Sequence, residues 1–174
     1  VHAVRRRRAL PHHAAGPVVA PATAEDAALG ALLDELKQCD YAFVPVTPET
    51  HRRVAARVAR PPASDIRDVF GWSRPFGRDT LPARIFSLLE RADVLRCSGD
   101  QFTSEIRVAS VGGRLFLHSA YPTTRADSVF LGPDTYRFVR FLGQELAECR
   151  HTRTLVDIGA GSRAGAITAD SHLP

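Results

Sequence analysis

A short segment towards the end of the chain has the residue types and the spacing of a ligand-binding turn. Thr154 to Ile158 is predicted to form a short buried strand, and Ala164 to Ala169 is predicted to begin a helix. Between them, Gly159 and Gly161 make a turn in which a ligand can approach the backbone without a Cβ in the way. The N–H groups at the start of the helix would face the same space. Strand, glycine turn and helix in this order are typical of a nucleotide-type site at the carboxyl end of a parallel strand.

An acidic residue in this segment makes the prediction more specific, because Asp157 stands two residues before the first glycine. The run from Val156 to Ser162 resembles motif I of class I S-adenosylmethionine-dependent methyltransferases. In that family the turn lies against the methionine and ribose portions of the cofactor, and the acidic residue helps to orient its ammonium end. The resemblance implies S-adenosylmethionine as the cofactor, with contacts from the matching positions Asp157, Gly159, Gly161 and Ser162. A strand-to-helix turn that binds no ligand is the alternative.

A second segment points to the same family. Phe130 to Phe138 contains a Pro-Asp-Thr sequence and resembles the segment that precedes motif I in methyltransferases of the small-domain type. That type includes release-factor glutamine methyltransferases and ribosomal RNA methyltransferases, and the segment crosses over the bound cofactor there. The resemblance implies further cofactor contacts from Asp134, Thr135 and Tyr136. From the residues alone, Asp134 or Thr135 is expected to cap the following helix, with the tyrosine as a packed aromatic side chain.

The sequence departs from the family in two respects. Arg163 stands where the family usually has a third glycine, and arginine tolerates a positive φ poorly, so its side chain should swing out of the pocket. The chain also stops at Pro174, after a single predicted strand of a fold that needs several parallel strands. We therefore expect a truncated catalytic domain, inactive as this fragment, with no catalytic residue identified. Since a lone strand cannot satisfy its edges, residues 151–174 should pair with the N-terminal domain or another chain, or be loosely held.

The residues before these motifs predict helices followed by a hairpin. Thr23 and Asp26 approximate a capping box in front of leucines at helical spacing, and Thr47-Pro48-Glu49 is a second helix start. Alternation over 102–110 and 114–118, joined by Gly112-Gly113, predicts a β-hairpin. A strand is expected over 41–44, and helices are expected over 64–70 and 82–90. A further helix is expected to follow the Pro-Asp-Thr segment and to continue through Leu146.

The fold class predicted from this order is α+β, with three parts. Residues 1–22 form a flexible basic tail, and residues 23–125 form a helical, winged-helix-like domain that recognises the substrate. Residues 126–174 form a linker and the first strand, turn and helix of a truncated Rossmann-like methyltransferase domain.

Composition limits the other possibilities. The hydrophobic fraction of 44% and the charged fraction of 24% are those of a soluble globular protein, and no apolar run is long enough for a membrane span. The formal net charge is +4, and the run Arg5 to Arg8 accounts for four positive charges, which allows a nucleic-acid partner without requiring one. Three widely spaced cysteines favour a reducing cytoplasm, and the histidines show no metal-ligand spacing.

Two functions follow as hypotheses. In the first, the parent protein is a methyltransferase that modifies a nitrogen of a protein or RNA substrate by direct attack on the sulfonium methyl group. In the second, the chain is a non-enzymatic winged-helix module that binds nucleic acid, with residues 126–174 as a structural tail. A row of four arginines could then contact phosphates: Arg52, Arg53, Arg57 and Arg60. Such a row is more often the solvent-facing side of a helix.

Overall fold

The computed structural model describes residues 21–57, 62–148 and 155–172. Within these ranges the protein is a mixed α+β structure with six α-helices and two two-stranded antiparallel sheets. The elements, in chain order, are α1 (Ala24–Gln38), α2 (Pro48–Arg57), α3 (Ile66–Phe70), a 3₁₀ turn (Arg78–Thr80), α4 (Ala83–Arg91), β1 (Leu95–Ser98), β2 (Gln101–Ser104), β3 (Ile106–Val111), β4 (Arg114–Ser119), α5 (Pro133–Glu148) and α6 (Ala164–Asp170). The predicted tail lies outside the described residues except for Pro21 and Ala22, as do Arg60 and Thr154.

The predicted helices are present, and their ends follow from local chemistry. At the start of α1, the Thr23 hydroxyl accepts from the Asp26 N–H at 3.1 Å, and the Asp26 carboxylate accepts from the Thr23 N–H at 3.0 Å. This reciprocal pair is the expected capping box, and it satisfies two N–H groups that the helix cannot. One face of α1 packs against α4, because both helices place apolar side chains there at helical spacing. Residues that are fully buried in this contact include Leu32, Leu36, Ile85 and Leu89.

The predicted hairpin is also present as β3 and β4. Its register pairs Ile106 with Ser119 and Val111 with Arg114. The two-residue turn requires positive φ at both positions, and Gly112 and Gly113 supply φ values of 56° and 76°. The glycines therefore close the hairpin without strain.

The hairpin is buried on both faces, so it forms the middle of the molecule. On one face, Val108 packs into the core of α1, α3 and α4. On the other face, Ala109 and Phe116 pack with Leu131 and with Ala164 of α6. Because α5 and α6 also pack against each other, the residues after 130 form a layer on the second face.

Three details of the predicted strands were wrong. Residues 41–44 form no strand. The carbonyl of Phe43 accepts from the backbone N–H of Ser110, as in a strand pair, but the N–H of Phe43 donates to the Ser110 side chain at 3.1 Å, so the second backbone bond of a ladder is not made. The predicted strand over 102–110 is two strands, since the Ser104 hydroxyl bonds both backbone groups of Ile106 and turns the chain. The first of these pairs with β1, which was missed because its residues are mostly exposed and lack apolar alternation.

The predicted strand over 154–158 is likewise not observed in its described part, Leu155 to Ile158. These residues have no strand partner among the described residues, and Val156 and Ile158 are 79% and 93% exposed. An extended segment without a neighbour has no ladder to join, which is the physical reason for the difference. None of the helices in the described ranges is long and apolar enough to cross a membrane.

Candidate functional site

The glycine turn leads from residues 155–157 into α6 through three left-handed backbone positions. Gly159, Gly161 and Arg163 have φ values of 79°, 46° and 59°. A Cβ added to Gly159 would meet no atom within 4 Å, so the turn borders open space at that residue. The glycines are therefore needed for their backbone conformation, and the side of the turn at Gly159 is accessible to a ligand.

Arg163 has a left-handed backbone conformation that favours glycine. Its φ of 59° and ψ of 16° lie in the left-handed region, and its N–H donates to the Ala160 carbonyl at 2.6 Å. The side chain is exposed, as expected of a residue that must leave the pocket. A side chain in this region costs about 1–2 kcal/mol. The turn thus keeps its shape at an energetic cost that a glycine would avoid.

Asp157 holds the turn against the start of α6. Its Oδ2 accepts from the Ala166 N–H at 3.1 Å, which satisfies one of the N–H groups left open at a helix start. The negative charge also lies at the positive end of the helix dipole. Ser162 is half-buried, and its hydroxyl makes no hydrogen bond with the other described residues. The four motif I positions are thus together in one turn.

The Pro-Asp-Thr segment lies at the start of α5. That helix begins at Pro133, so Asp134 and Thr135 lie inside its first turn and not at the capping position in front of it, where we expected one of them. Tyr136 points to the hairpin, where its hydroxyl donates to the Ser110 carbonyl at 2.7 Å. Burial raises the pKa of Tyr136 to about 12. Tyr136 therefore anchors α5 on β3, whereas Asp134 is exposed.

Phe138 is the residue of α5 that comes next to the motif I turn, and the sequence analysis missed it. A Cβ built on Gly165 would lie 2.8 Å from Cε1 of Phe138 and 3.1 Å from Oδ2 of Asp157. The ring of Phe138, the backbone of Gly165 and the carboxylate of Asp157 therefore meet at one point. Helical spacing could have found it, because Phe138 follows Asp134 by four residues and so lies on the same side of α5.

A second group of polar side chains, also missed from the sequence, is buried beside the hairpin. Arg107 and His118 are directly opposite each other in the β3–β4 ladder, and each is only 3% exposed. Arg107 Nε donates to the Gly71 carbonyl at 3.0 Å, and the guanidinium carbon lies 6.0 Å from the centre of the Phe43 ring. Burial, followed by the charge of Arg107, lowers the pKa of His118 to about 3, so its imidazole is neutral at pH 7.

Aromatic rings continue this buried group towards α2. The rings of His51 and Tyr121 lie 4.2 Å apart, and those of His51 and Trp72 lie 5.6 Å apart. His51 Nε2 is 3.0 Å from the Trp72 carbonyl oxygen. Trp72 in turn meets Phe43 edge to face at 5.4 Å. No sequence spacing signals this group, since its members come from four separate segments. Comparison with protein-family models, with curated proteins and with solved structures found no match to this chain.

Proposed function

We propose that this chain is the N-terminal part of an S-adenosylmethionine-dependent methyltransferase that acts on a nitrogen of a protein or RNA substrate. The observation that supports it most is the turn from 157 to 166. Three left-handed residues and the bond from Ala166 to Asp157 form a compact turn into α6 that is open at Gly159. Its residues resemble motif I, and glycine turns that lead into a helix are used for nucleotide-type ligands in α/β folds.

The surroundings of the turn support the same proposal. Phe138 brings α5, which begins with the Pro-Asp-Thr segment, against Gly165 at the start of α6. Val156 and Ile158 are exposed apolar residues next to the turn, as expected of residues that further strands would cover. In this proposal, residues 155–172 are the first part of a Rossmann-like domain, and the preceding helices and hairpin form a winged-helix-like substrate domain.

The chemistry of the turn fits one end of the cofactor. When bound, S-adenosylmethionine supplies an electrophilic methyl group. Gly159, Gly161 and Ser162 would hold it through backbone and hydroxyl groups, and Asp157 would orient its ammonium end while remaining bonded to α6. These residues position and do not form covalent bonds, so any rate gain from them comes from orientation and exclusion of water.

Calorimetric titration of the 174-residue chain with S-adenosylmethionine tests the proposal. We expect weak binding by the chain itself, because Arg163 strains the turn and the described residues contain no parallel sheet. Arg163→Gly lowers the cost of forming the turn by about 1 kcal/mol, so it should tighten binding by up to about fivefold to the extent that the turn is not already formed in the free chain. Asp157→Ala in the Arg163→Gly background should abolish binding. Absence of binding by Arg163→Gly at millimolar cofactor would contradict the proposal.

Binding of nucleic acid by α2 has less support. Arg52 and Arg53 are exposed, but both form ion pairs with Glu49, which reduces the positive charge that phosphates would meet. A salt-dependent affinity for duplex or single-stranded nucleic acid, lost in Arg52→Gln/Arg53→Gln, would revive this alternative.

A further inference from the structure

The buried pair of Arg107 and His118 lacks the partners that such groups normally have. Arg107 Nη2 has no hydrogen-bond partner among the described residues. Neither ring nitrogen of His118 has a partner there within hydrogen-bond geometry, although the nearby backbone of Ser119 opposes the lowering of the imidazole pKa. Among the described residues, Tyr41 is the group whose charge raises the pKa of the guanidinium, and no described carboxylate does so. The Tyr41 hydroxyl itself donates to the Val108 carbonyl at 3.0 Å, so it does not neutralise the cation.

A buried cation without an anion is costly, and nearly all buried polar groups in proteins are hydrogen-bonded. Removing one member of a buried ion pair usually destabilises a protein strongly, because a charge is left without compensation. Arg107 is likewise a buried charge without an anionic partner among the described residues. The bond to Gly71 and the ring of Phe43 fix the direction of its side chain. Arg107 is thus held in place while its Nη2 donor is unused towards the described residues.

We propose that Arg107 and His118 form a binding site for a single carboxylate group. The pair offers Nη2–H of Arg107 and one imidazole N–H, and these two donors can serve the two oxygens of a carboxylate. The charge also fits: because the imidazole is neutral, the site has one positive charge, which one carboxylate neutralises. A phosphate dianion would leave a net negative charge in the same buried space.

The pair lies near one end of the hairpin, on the face that also packs against α6. Arg107 and His118 lie on the same hairpin face as Ala109 and Phe116, which contact Ala164, and they are about 7 Å further along the ladder. A cleft of about 490 Å³ opens at that end of the hairpin, and Ile106, Ser119 and Tyr121 line it. Ile106 and Ser119 are the next ladder pair after Arg107 and His118, and because successive residues of a strand alternate between faces, their side chains lie on the opposite face of the hairpin. The cleft therefore adjoins the end of the hairpin, and Arg107 and His118 are not among the residues that line it.

The inference does not depend on the proposed methyltransferase activity, and acetate is the probe that tests it. The His118 imidazole of the 174-residue chain is followed by NMR during titration with sodium acetate, against sodium chloride at equal ionic strength. We expect a saturable change that acetate alone causes, with the pKa of His118 raised by about 1 or more, because a nearby negative charge favours the protonated form. If folded wild-type protein shows no saturable response to acetate, the proposal is wrong.

Variants separate binding from a merely structural role. Arg107→Met keeps the volume, removes the charge and should abolish the acetate response, whereas Arg137→Met, at an exposed position of α5, should leave it unchanged. An equal acetate response in Arg107→Met would overturn the proposal, and so would a wild-type melting temperature that acetate does not raise.

Two carboxylate sources are then distinguished by competition against acetate. Displacement by S-adenosylmethionine would assign the site to the methionine end of the cofactor. Displacement by a short glutamate-containing peptide would assign it to an acidic side chain of a protein substrate. If the acetate response occurs and Arg163→Gly fails to bind the cofactor, the carboxylate site stands while the methyltransferase proposal falls.

Discussion

The protein contains two glycine turns that differ in what surrounds them. The turn at Gly112 and Gly113 joins two paired strands that are buried on both faces. The turn at Gly159 and Gly161 follows an extended segment that has no partner in the described residues and exposes Val156 and Ile158. Left-handed glycines alone therefore do not make a rigid element. The first turn owes its stability to the ladder and the core, and the second depends on a few bonds around Asp157 and Arg163.

The largest expected difference between the two regions is in side-chain burial. Val108→Ala should lower the free energy of unfolding by roughly 2–3 kcal/mol, because it removes two buried methyl groups and leaves a cavity. Val156→Ala, the matched change in the exposed segment, should alter it by less than about 0.5 kcal/mol. Urea denaturation of both variants measures this. Equal losses would show that the segment at 156 is covered and that the comparison is wrong.

The hairpin should also make the free energy of unfolding depend on pH through His118. His118 has a pKa near 3 when folded and near 6.5 when unfolded, so the unfolded chain binds the extra proton. The free energy of unfolding therefore contains a contribution from keeping His118 neutral. This contribution is complete above pH 6.5 and is lost as the pH falls towards 3, by up to about 1.4 kcal/mol per pH unit.

Stability curves from pH 7 to pH 5, in buffers without carboxylates, test this. Over that range, the free energy of unfolding of the wild type should fall by up to roughly 2 kcal/mol more than that of His118→Gln. Identical slopes for the two proteins would mean that His118 is already protonated or accessible in the folded state.

The contact of α5 with the motif I turn predicts a third effect. Gly165→Ala should destabilise the protein by about 1–3 kcal/mol, because the new methyl group would lie 2.8 Å from the Phe138 ring. Gly30→Ala is the control: its methyl group meets nothing within 4 Å inside α1, so it should stabilise by about 0.5–1 kcal/mol. Thermal unfolding compares the two, and Phe138→Ala should relieve most of the Gly165→Ala loss. No relief in the double variant would argue that α5 does not contact this point.

The smallest expected effect is at Arg163. Arg163→Gly should raise the free energy of unfolding by about 1 kcal/mol or less, since the relief of left-handed strain is partly offset by the greater freedom of glycine in the unfolded chain. Arg137→Gly, in the helical backbone of α5, should instead lower it by about 1 kcal/mol. Hydrogen exchange of the α6 amides measures the local effect. A loss of protection in Arg163→Gly would show that the arginine side chain supports the turn.

Local signals in the sequence were sufficient for elements that are fixed locally. The capping box at Thr23, the leucines of α1 and the glycine pair at 112 and 113 each predicted an element that the structure contains. Local signals failed at Leu155 to Ile158, where a strand was predicted and none is observed. A strand exists only with a partner, and the apolar residues of this segment give no information about that partner.

The candidate site shows the same limit. The residues of the motif I turn are adjacent in sequence, so their pattern was visible, and the positive φ needed at Arg163 followed from the family's glycine. Arg107 stood among polar residues in the alternating pattern and would be taken for a solvent-facing side chain. It is buried opposite His118 beside Gly71 and Phe43, which come from distant segments, and the alternation of one hairpin cannot reveal those contacts.

The most direct test of the central claim follows backbone amide resonances of Arg163→Gly during titration with S-adenosylmethionine. The account predicts saturable shifts at Gly159, Gly161 and Ser162, and none at Gly112 or Gly113. Shifts confined to the hairpin turn, or no shifts at millimolar cofactor, would contradict the assignment of this turn to a methyltransferase.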